Sequence, residues 1–214
     1  TTTTTTTTTT TIAKASETFF ELGTIKVSGV KETVFSFQSS FAEIPVVLLM
    51  PDISGRAPAT IRIKDLTTTG FTAAVVEPPG NDGRHSAMDT AYIAALPGVH
   101  ALPDGRKFEV GRAVTRGVVL DDCLRSGRAE KPWTTVDFRH TFARDPAVLT
   151  TFQTLNQVSG KMVGKPMEPW GVVATKDITP RSVDFAQDLG STSNDNSELS
   201  PETTGYLAIE DGVD

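Results

Sequence analysis

One stretch of this chain occurs twice, and the repetition constrains the fold more than any other feature. The stretch reads TVFSFQSSFAEIPVVL in its first occurrence and TVDFRHTFARDPAVLT in its second. In each copy apolar and polar residues mostly alternate up to the second phenylalanine, which predicts a strand whose buried face carries both phenylalanine rings. The proline ends this strand because it has no N–H to donate, and another strand follows. Residues identical at a separation of 101 positions include Phe37 and Phe138, Phe41 and Phe142, Pro45 and Pro146, Val47 and Val148, and Leu48 and Leu149.

Three further phrases recur in the same order. They are FFELGTIKVSG and KFEVGRAVTRG, starting at Phe19 and Lys107; DLTTTGF and DITPRSV, starting at Asp65 and Asp177; and AYIAALPGV and GYLAIEDGV, starting at Ala91 and Gly205. Four segments that recur in the same order indicate an internal duplication, with insertions in the second copy. The connector PGVHALPDG is rich in turn residues. We therefore divide the chain into a Thr-rich linker or stalk at 1–17, a first module at 18–104 and a second module at 105–214.

Each copy holds five or six short stretches of strand character, separated by clusters of Gly, Pro, Asn and Asp. No stretch sustains the period of a helix. The predicted fold is all-β, with two tandem antiparallel β-sandwich modules behind an N-terminal Thr-rich extended segment. The residues that we expect in the two cores are Phe37, Phe41, Phe138 and Phe142.

Composition excludes several classes of partner and site. The formal net charge of −6 argues against nucleic acid, which needs a clustered basic surface. No apolar run approaches the roughly 20 residues of a membrane span, so no membrane insertion is expected. Cys123 is the single cysteine, which excludes an internal disulfide and a cysteine-based zinc site. No phosphate-binding or nucleotide-binding motif is present, and we expect no metal, no cofactor and no catalytic residue.

The chain begins with an unbroken run of eleven threonines. Such a run has almost nothing to bury and is expected to be extended and solvated. Threonine-rich tracts of secreted proteins are typical sites of O-glycosylation, and a plain flexible linker is the alternative. The candidate O-glycosylation sites are Thr1, Thr2, Thr3, Thr4, Thr5, Thr6, Thr7, Thr8, Thr9, Thr10 and Thr11.

The phrase IPVVLL, followed about 20 residues later by DLTTTGFTAAV and then by a strand ending in AYIAA, resembles the H-type lectin domain. The resemblance covers most of 33–95 and, more loosely, 135–209. It implies a small six-stranded antiparallel sandwich, often assembled as a trimer or hexamer, that binds N-acetylgalactosamine and related sugars. Tandem modules of this kind resemble those of large secreted surface and adhesion proteins.

The chain departs from the family's pattern where the sugar contacts lie. The family has an aromatic residue and a histidine after the strand that follows Thr-Gly-Phe, whereas this chain has EPPG starting at Glu77, which offers no ring for stacking. Tyr92 and Tyr206 stand where the family commonly has tryptophan. Arg56 is a loose positional match to the family's sugar-binding arginine.

The loop NDGRH supplies the other polar groups that could contact a sugar. Its Asp82, Arg84 and His85 can all form hydrogen bonds, and with Arg56 they are our candidate carbohydrate-binding residues. The alternative for His85 is a solvated loop histidine without a ligand.

These observations predict a non-catalytic extracellular structural or adhesive module, secreted or on a cell surface. It would be a subunit or repeat segment of a filament or surface assembly. The expected partners are copies of itself or neighbouring modules of a longer chain, with glycans as a further candidate. The alternative is a soluble or surface H-type lectin that binds N-acetylgalactosamine-type glycans. An enzyme is the third class, and no constellation of residues favours it.

Overall fold

The structure is a computed structural model that describes residues 18–29, 31–52, 58–78, 85–119, 133–156, 161–162, 165–166, 170–188 and 200–210. Every regular element among these residues is a β-strand, which confirms the predicted all-β class. The described part of the chain contains no helix with the length and apolar character that a membrane crossing would need. The predicted Thr-rich segment lies outside the described residues.

The described residues of the first copy form six strands in two antiparallel sheets. Sheet 1 has the order β2-β5-β4, and sheet 2 has the order β1-β6-β3. A core that includes Val47, Ile63 and Phe71 lies between these sheets, so the first copy is a sandwich. Its strands are β1 (Phe20–Val27), β2 (Thr33–Ser36), β3 (Val46–Pro51), β4 (Thr60–Lys64), β5 (Gly70–Val76) and β6 (Met88–Ala95).

The second copy repeats this plan with additions. Sheet 3 has the order β11-β16-β8-β7, and sheet 4 has the order β10-β15-β14 with β9 parallel to β15. The predicted module boundary falls in the turn between β7 and β8, so β7 belongs to the first module by sequence but pairs with β8 in the sheet of the second copy. The strands are β7 (Gly98–Ala101), β8 (Lys107–Thr115), β9 (Val118–Val119), β10 (Thr134–Asp137), β11 (Ala147–Phe152), β12 (Lys161–Met162), β13 (Lys165–Pro166), β14 (Val172–Lys176), β15 (Ser182–Asp188) and β16 (Glu202–Ile209). The short strands β12 and β13 pair with each other, and within the described ranges neither pairs with another strand.

Equivalent residues make the same contacts in both copies, as the duplication predicts. The rings of Phe37 and Phe41 meet edge to face at 5.0 Å, and those of Phe138 and Phe142 do so at 5.2 Å. The Phe41 N–H donates to a carbonyl in the turn before β5, and the Phe142 N–H donates to one in the turn before β15, both at 2.9 Å. The first residue of each of these turns, Asp65 or Asp177, has a positive φ, of 51° and 48° respectively.

The prediction of one continuous strand through both phenylalanines is wrong. Strand β2 ends at Ser36, and the chain then turns, so that the Phe37 and Phe41 N–H groups both bond carbonyls of the turn before β5. This turn, rather than the period of a strand, brings the two rings to one side. The core assignment is confirmed for Phe37, Phe41 and Phe142, whereas Phe138 is half-buried against the second core.

Sheet 2 of the first copy packs face to face against sheet 3 of the second copy. The two sandwiches together therefore form four layers, in the order sheet 1, sheet 2, sheet 3 and sheet 4. Along β3 and β6, alternate side chains enter the first core, and those between them, such as Leu48, enter a third core with Phe108, Val110 and Leu207. The equivalent residues Phe20 and Phe108 meet there, with ring centroids 6.5 Å apart. Contact between equivalent residues is typical of an approximate two-fold relation.

Candidate functional site

The most polar buried group of the described residues lies at the junction of the two copies. Arg62 on β4 pairs with Glu202 on β16 at 2.6 Å between Nη2 and Oε1, and both side chains are at most 1% exposed. Arg62 also donates to the Thr154 carbonyl at 3.1 Å, and its guanidinium lies 4.6 Å from the ring centroid of Phe152. Desolvation lowers the pKa of Arg62, and Glu202 opposes that shift.

Glu202 is held by several donors in addition to Arg62. Its Oε2 accepts from the Thr154 hydroxyl at 2.5 Å, and both carboxylate oxygens accept from the Asn156 backbone N–H at 3.0 and 3.2 Å. A buried carboxylate with this many donors is well compensated for its loss of water. The ion pair therefore fixes the position of β4 relative to β16.

A glutamine of the second copy covers the edge of β3 in the first. The Gln153 Oε1 accepts from the Val47 N–H at 2.8 Å, and its Nε2 donates to the Val47 carbonyl at 2.7 Å. The Thr151 hydroxyl accepts from the Leu49 N–H at 3.1 Å. The side-chain amide thus replaces one residue of a neighbouring strand, so this edge is not available for pairing with another chain.

A cleft of about 420 Å³ opens beside this junction and is lined by both copies. Its polar lining includes Lys64, Asp65, Arg112, Asn156 and Thr203. Ile44, Leu66 and Leu155 supply apolar surface next to these groups. A pocket with convergent donors and acceptors beside apolar side chains is the usual form of a site for a small polar ligand.

Arg112 is the cationic group best placed to orient a ligand in this cleft. Its Nη2 donates to the carbonyls of Ile44 and Pro45, both at 2.6 Å, which fixes the guanidinium. Among the described residues no carboxylate forms an ion pair with it. Burial lowers the pKa of Arg112, and the charge of Glu43 acts in the opposite direction. A fixed guanidinium without a carboxylate partner can donate to a hydroxyl or a carboxylate of a ligand.

Each copy also buries a tyrosine against a glutamate, away from the cleft. The Tyr92 hydroxyl donates to Glu21, and the Tyr206 hydroxyl donates to Glu109, the latter at 2.7 Å. The second oxygen of each glutamate accepts a backbone N–H of the phenylalanine turn, from Gln38 at 3.0 Å in the first copy and from residue 140 at 2.9 Å in the second. Burial and this bond raise the pKa of Tyr92 to about 12 and raise that of Tyr206 further.

Of the predicted carbohydrate-binding residues, His85 alone lies in the described part of the chain, and it is not among the described residues that line the cleft. Arg56, Asp82 and Arg84 lie outside the described residues. His85 lies beside the end of β1, where its N–H donates to the Gly29 carbonyl at 3.0 Å and its Nδ1 donates to the Ser86 carbonyl at 2.9 Å. The interpretation of His85 as a solvated histidine is wrong, since the residue is only 9% exposed. Its role as a sugar ligand stays a prediction.

Sequence reasoning missed the residues that join the copies, although the duplication carried a signal. Glu202 stands where the first copy has the fully buried Met88, and Arg62 stands where the second copy has Ala174. Both counterparts are apolar, Met88 fully buried and Ala174 half-buried, and a charge at such a position indicates a polar partner. These two departures from the repeat meet each other in the structure.

No protein-family model, no curated protein and no solved structure matches this chain.

Proposed function

We propose that this chain is a non-catalytic structural or adhesive module of an extracellular assembly, in which the two copies act as one rigid unit. The observation that carries this proposal is the junction itself. It combines a shared apolar core, a buried ion pair between Arg62 and Glu202, and an edge strand covered by Gln153. Two ligand-binding domains that are only tethered need not bury surface against each other. A spacing or load-bearing element does need a large buried junction, because its two domains must keep a fixed orientation.

The proposal is tested by combining light scattering over a dilution series with electron microscopy of the native material. We expect reversible association into filaments or arrays in which both copies form one density of constant shape. A stable monomer at every concentration, together with two densities at variable angles, would contradict it.

A second candidate function is the binding of a glycan in the cleft between the copies. The support is specific: the cleft joins a fixed guanidinium, an amide and a hydroxyl to apolar side chains, which together suit the hydroxyl groups and the apolar face of a sugar. The lectin alternative from the sequence instead uses Arg56 and the loop that contains Arg84.

A glycan array followed by titration separates these two sites. If the cleft binds the sugar, Arg112→Gln should weaken binding by about tenfold or more, because it removes a charged donor. Arg84→Ala should then leave binding unchanged, and the matched control is Arg106→Ala in the β7–β8 turn. The reverse pattern would assign binding to the predicted loop and exclude the cleft.

A further inference from the structure

One cation in the cleft between the copies keeps N–H groups that no described residue uses. The Arg112 Nη2 donates to the Ile44 and Pro45 carbonyls in the loop before β3. Among the described residues its Nε and Nη1 have no hydrogen-bond partner. The first copy has the exposed Thr24 at the equivalent position, so this guanidinium is not part of the repeated framework. The loop contacts hold it in place, and its remaining donors are available to a ligand.

The charge of this arginine also distinguishes it from the other cation among the described residues of the cleft lining. That other cation, Lys64, is already paired, with its Nζ 2.7 Å from the Glu32 Oε1 and 3.9 Å from the Asp65 Oδ2. In the described part of the chain no carboxylate forms an ion pair with Arg112, although the charge of Glu43 partly opposes the lowering of its pKa by burial. A partly buried positive charge in this state is stabilised more by an anionic group than by a neutral hydroxyl.

The rest of the cleft suits a sugar that carries a single negative charge. Its volume of about 420 Å³ is in the range of small-molecule sites. Leu66 supplies apolar surface, Asn156 an amide, and Thr203 a hydroxyl on the same face of sheet 3 as the arginine. Two carboxylates share the ammonium group of Lys64, so a second negative charge on a ligand is disfavoured near Asp65. This excludes a phosphate ester as the preferred ligand and favours a carboxylate.

We propose that the cleft binds an acidic sugar, whose carboxylate accepts hydrogen bonds from the remaining N–H groups of Arg112. This inference rests on the second proposed function, glycan binding in the cleft, and names the class of glycan. The hydroxyl groups of the sugar bond Asn156 and Thr203, and the apolar face of its ring lies against Leu66. N-acetylgalactosamine, the neutral sugar of the lectin alternative, would leave the charge of the arginine uncompensated.

An NMR titration of the full chain with a matched pair of sugars tests the proposal. Methyl galacturonide and methyl galactoside differ only in a carboxylate in place of a hydroxymethyl group. We expect the galacturonide to bind about tenfold more tightly or better, because its carboxylate makes charge-assisted hydrogen bonds. It should shift the amide signals of Leu66, Asn156 and Thr203. Added salt should reduce the preference, since the charge pair is partly exposed to solvent.

Two variants of the arginine separate its charge from its geometry. Arg112→Gln removes the charge and should make the two sugars bind equally. Arg112→Lys keeps the charge on a flexible stem without the planar donors, and it should keep only part of the preference. Arg106→Gln in the β7–β8 turn is the matched control, because it changes the net charge of the chain equally, and it should leave the preference unchanged. The comparison of the two sugars on the unmodified chain does not depend on either cleft variant being folded.

Three results would overturn the proposal. Equal affinity for the two sugars, with shifts at the cleft amides, would overturn it and leave glycan binding in the cleft standing. Tighter binding of the galacturonide that Arg112→Gln leaves unchanged would mean that the carboxylate binds elsewhere. The absence of any shift with either sugar would also overturn it, and glycan binding in the cleft would then be decided by the glycan array.

Discussion

At the scale of single residues, each copy is organised around a buried tyrosine that lies over a glycine. A Cβ added at Gly23 would lie 2.4 Å from the Tyr92 ring, and one added at Gly111 would lie 2.4 Å from the Tyr206 ring. Glycine at these positions lets the ring lie flat on the neighbouring strand and reach its glutamate. The recurrence of Phe-Glu-x-Gly in the sequence is thereby explained by contact with the recurring tyrosine.

Replacing Gly23 with alanine tests this arrangement. The added methyl must displace the ring of Tyr92, which also disturbs the bond to Glu21. We expect a loss of about 1–3 kcal/mol in the free energy of unfolding, measured by urea denaturation. Thr24→Ala, on the exposed face of the same strand, is the control and should change stability by less than about 0.5 kcal/mol. Equal effects of the two substitutions would show that the glycine is not required by the ring.

The buried tyrosines also predict a loss of stability at high pH. An unfolded tyrosine loses its proton near pH 10, whereas burial raises the pKa of Tyr92 to about 12 in the folded chain. Between these values the unfolded state binds fewer protons than the folded state, so stability is full below about pH 10 and falls as the pH rises. Urea midpoints from about pH 8 to about pH 12 measure the effect. The midpoint of Tyr92→Phe should fall less steeply, and a wild-type midpoint that stays constant throughout would refute the account.

At the scale of elements, sequence reasoning succeeded where the pattern repeats and failed where one copy contacts the other. The repeated segments of the sequence predicted the strands, the two sandwiches and the phenylalanine pairs. The prediction of one strand through Phe37 and Phe41 was wrong, because a tight turn can place two rings on the same side of the backbone just as a strand does. The burial of Glu21 was missed because its tyrosine partner lies 71 positions away. Gln153 gave no signal, since its partner is backbone, which no sequence pattern marks.

The covering of β3 by Gln153 leads to a prediction at this scale. Gln153→Ala leaves the buried N–H and carbonyl of Val47 without partners, at a cost of about 1–3 kcal/mol in the free energy of unfolding. Thermal or urea denaturation measures the change. Gln38→Ala is the control, since that side chain is exposed, and it should have little effect. If the two variants were equally stable, the amide would not be closing the edge.

At the scale of the whole molecule, four sheets are stacked so that the third core belongs to both copies. Burying Arg62 and Glu202 is favourable only while they stay together, because separation of the copies would leave each charge without its partner. The apolar residues around Phe108 would be exposed at the same time. The two sandwiches should therefore unfold as one cooperative unit, although each has its own core.

Tryptophan fluorescence of a variant altered in the first copy tests this claim most directly. The only two tryptophans, Trp133 and Trp170, lie in the second copy. Phe41→Ala creates a cavity in the first core, which should cost about 3–5 kcal/mol. If the copies form one unit, the urea transition reported by the tryptophans shifts to lower urea, as it does for Phe142→Ala in the second core. A tryptophan transition that Phe41→Ala leaves in place would show that the copies are independent, and would contradict the account.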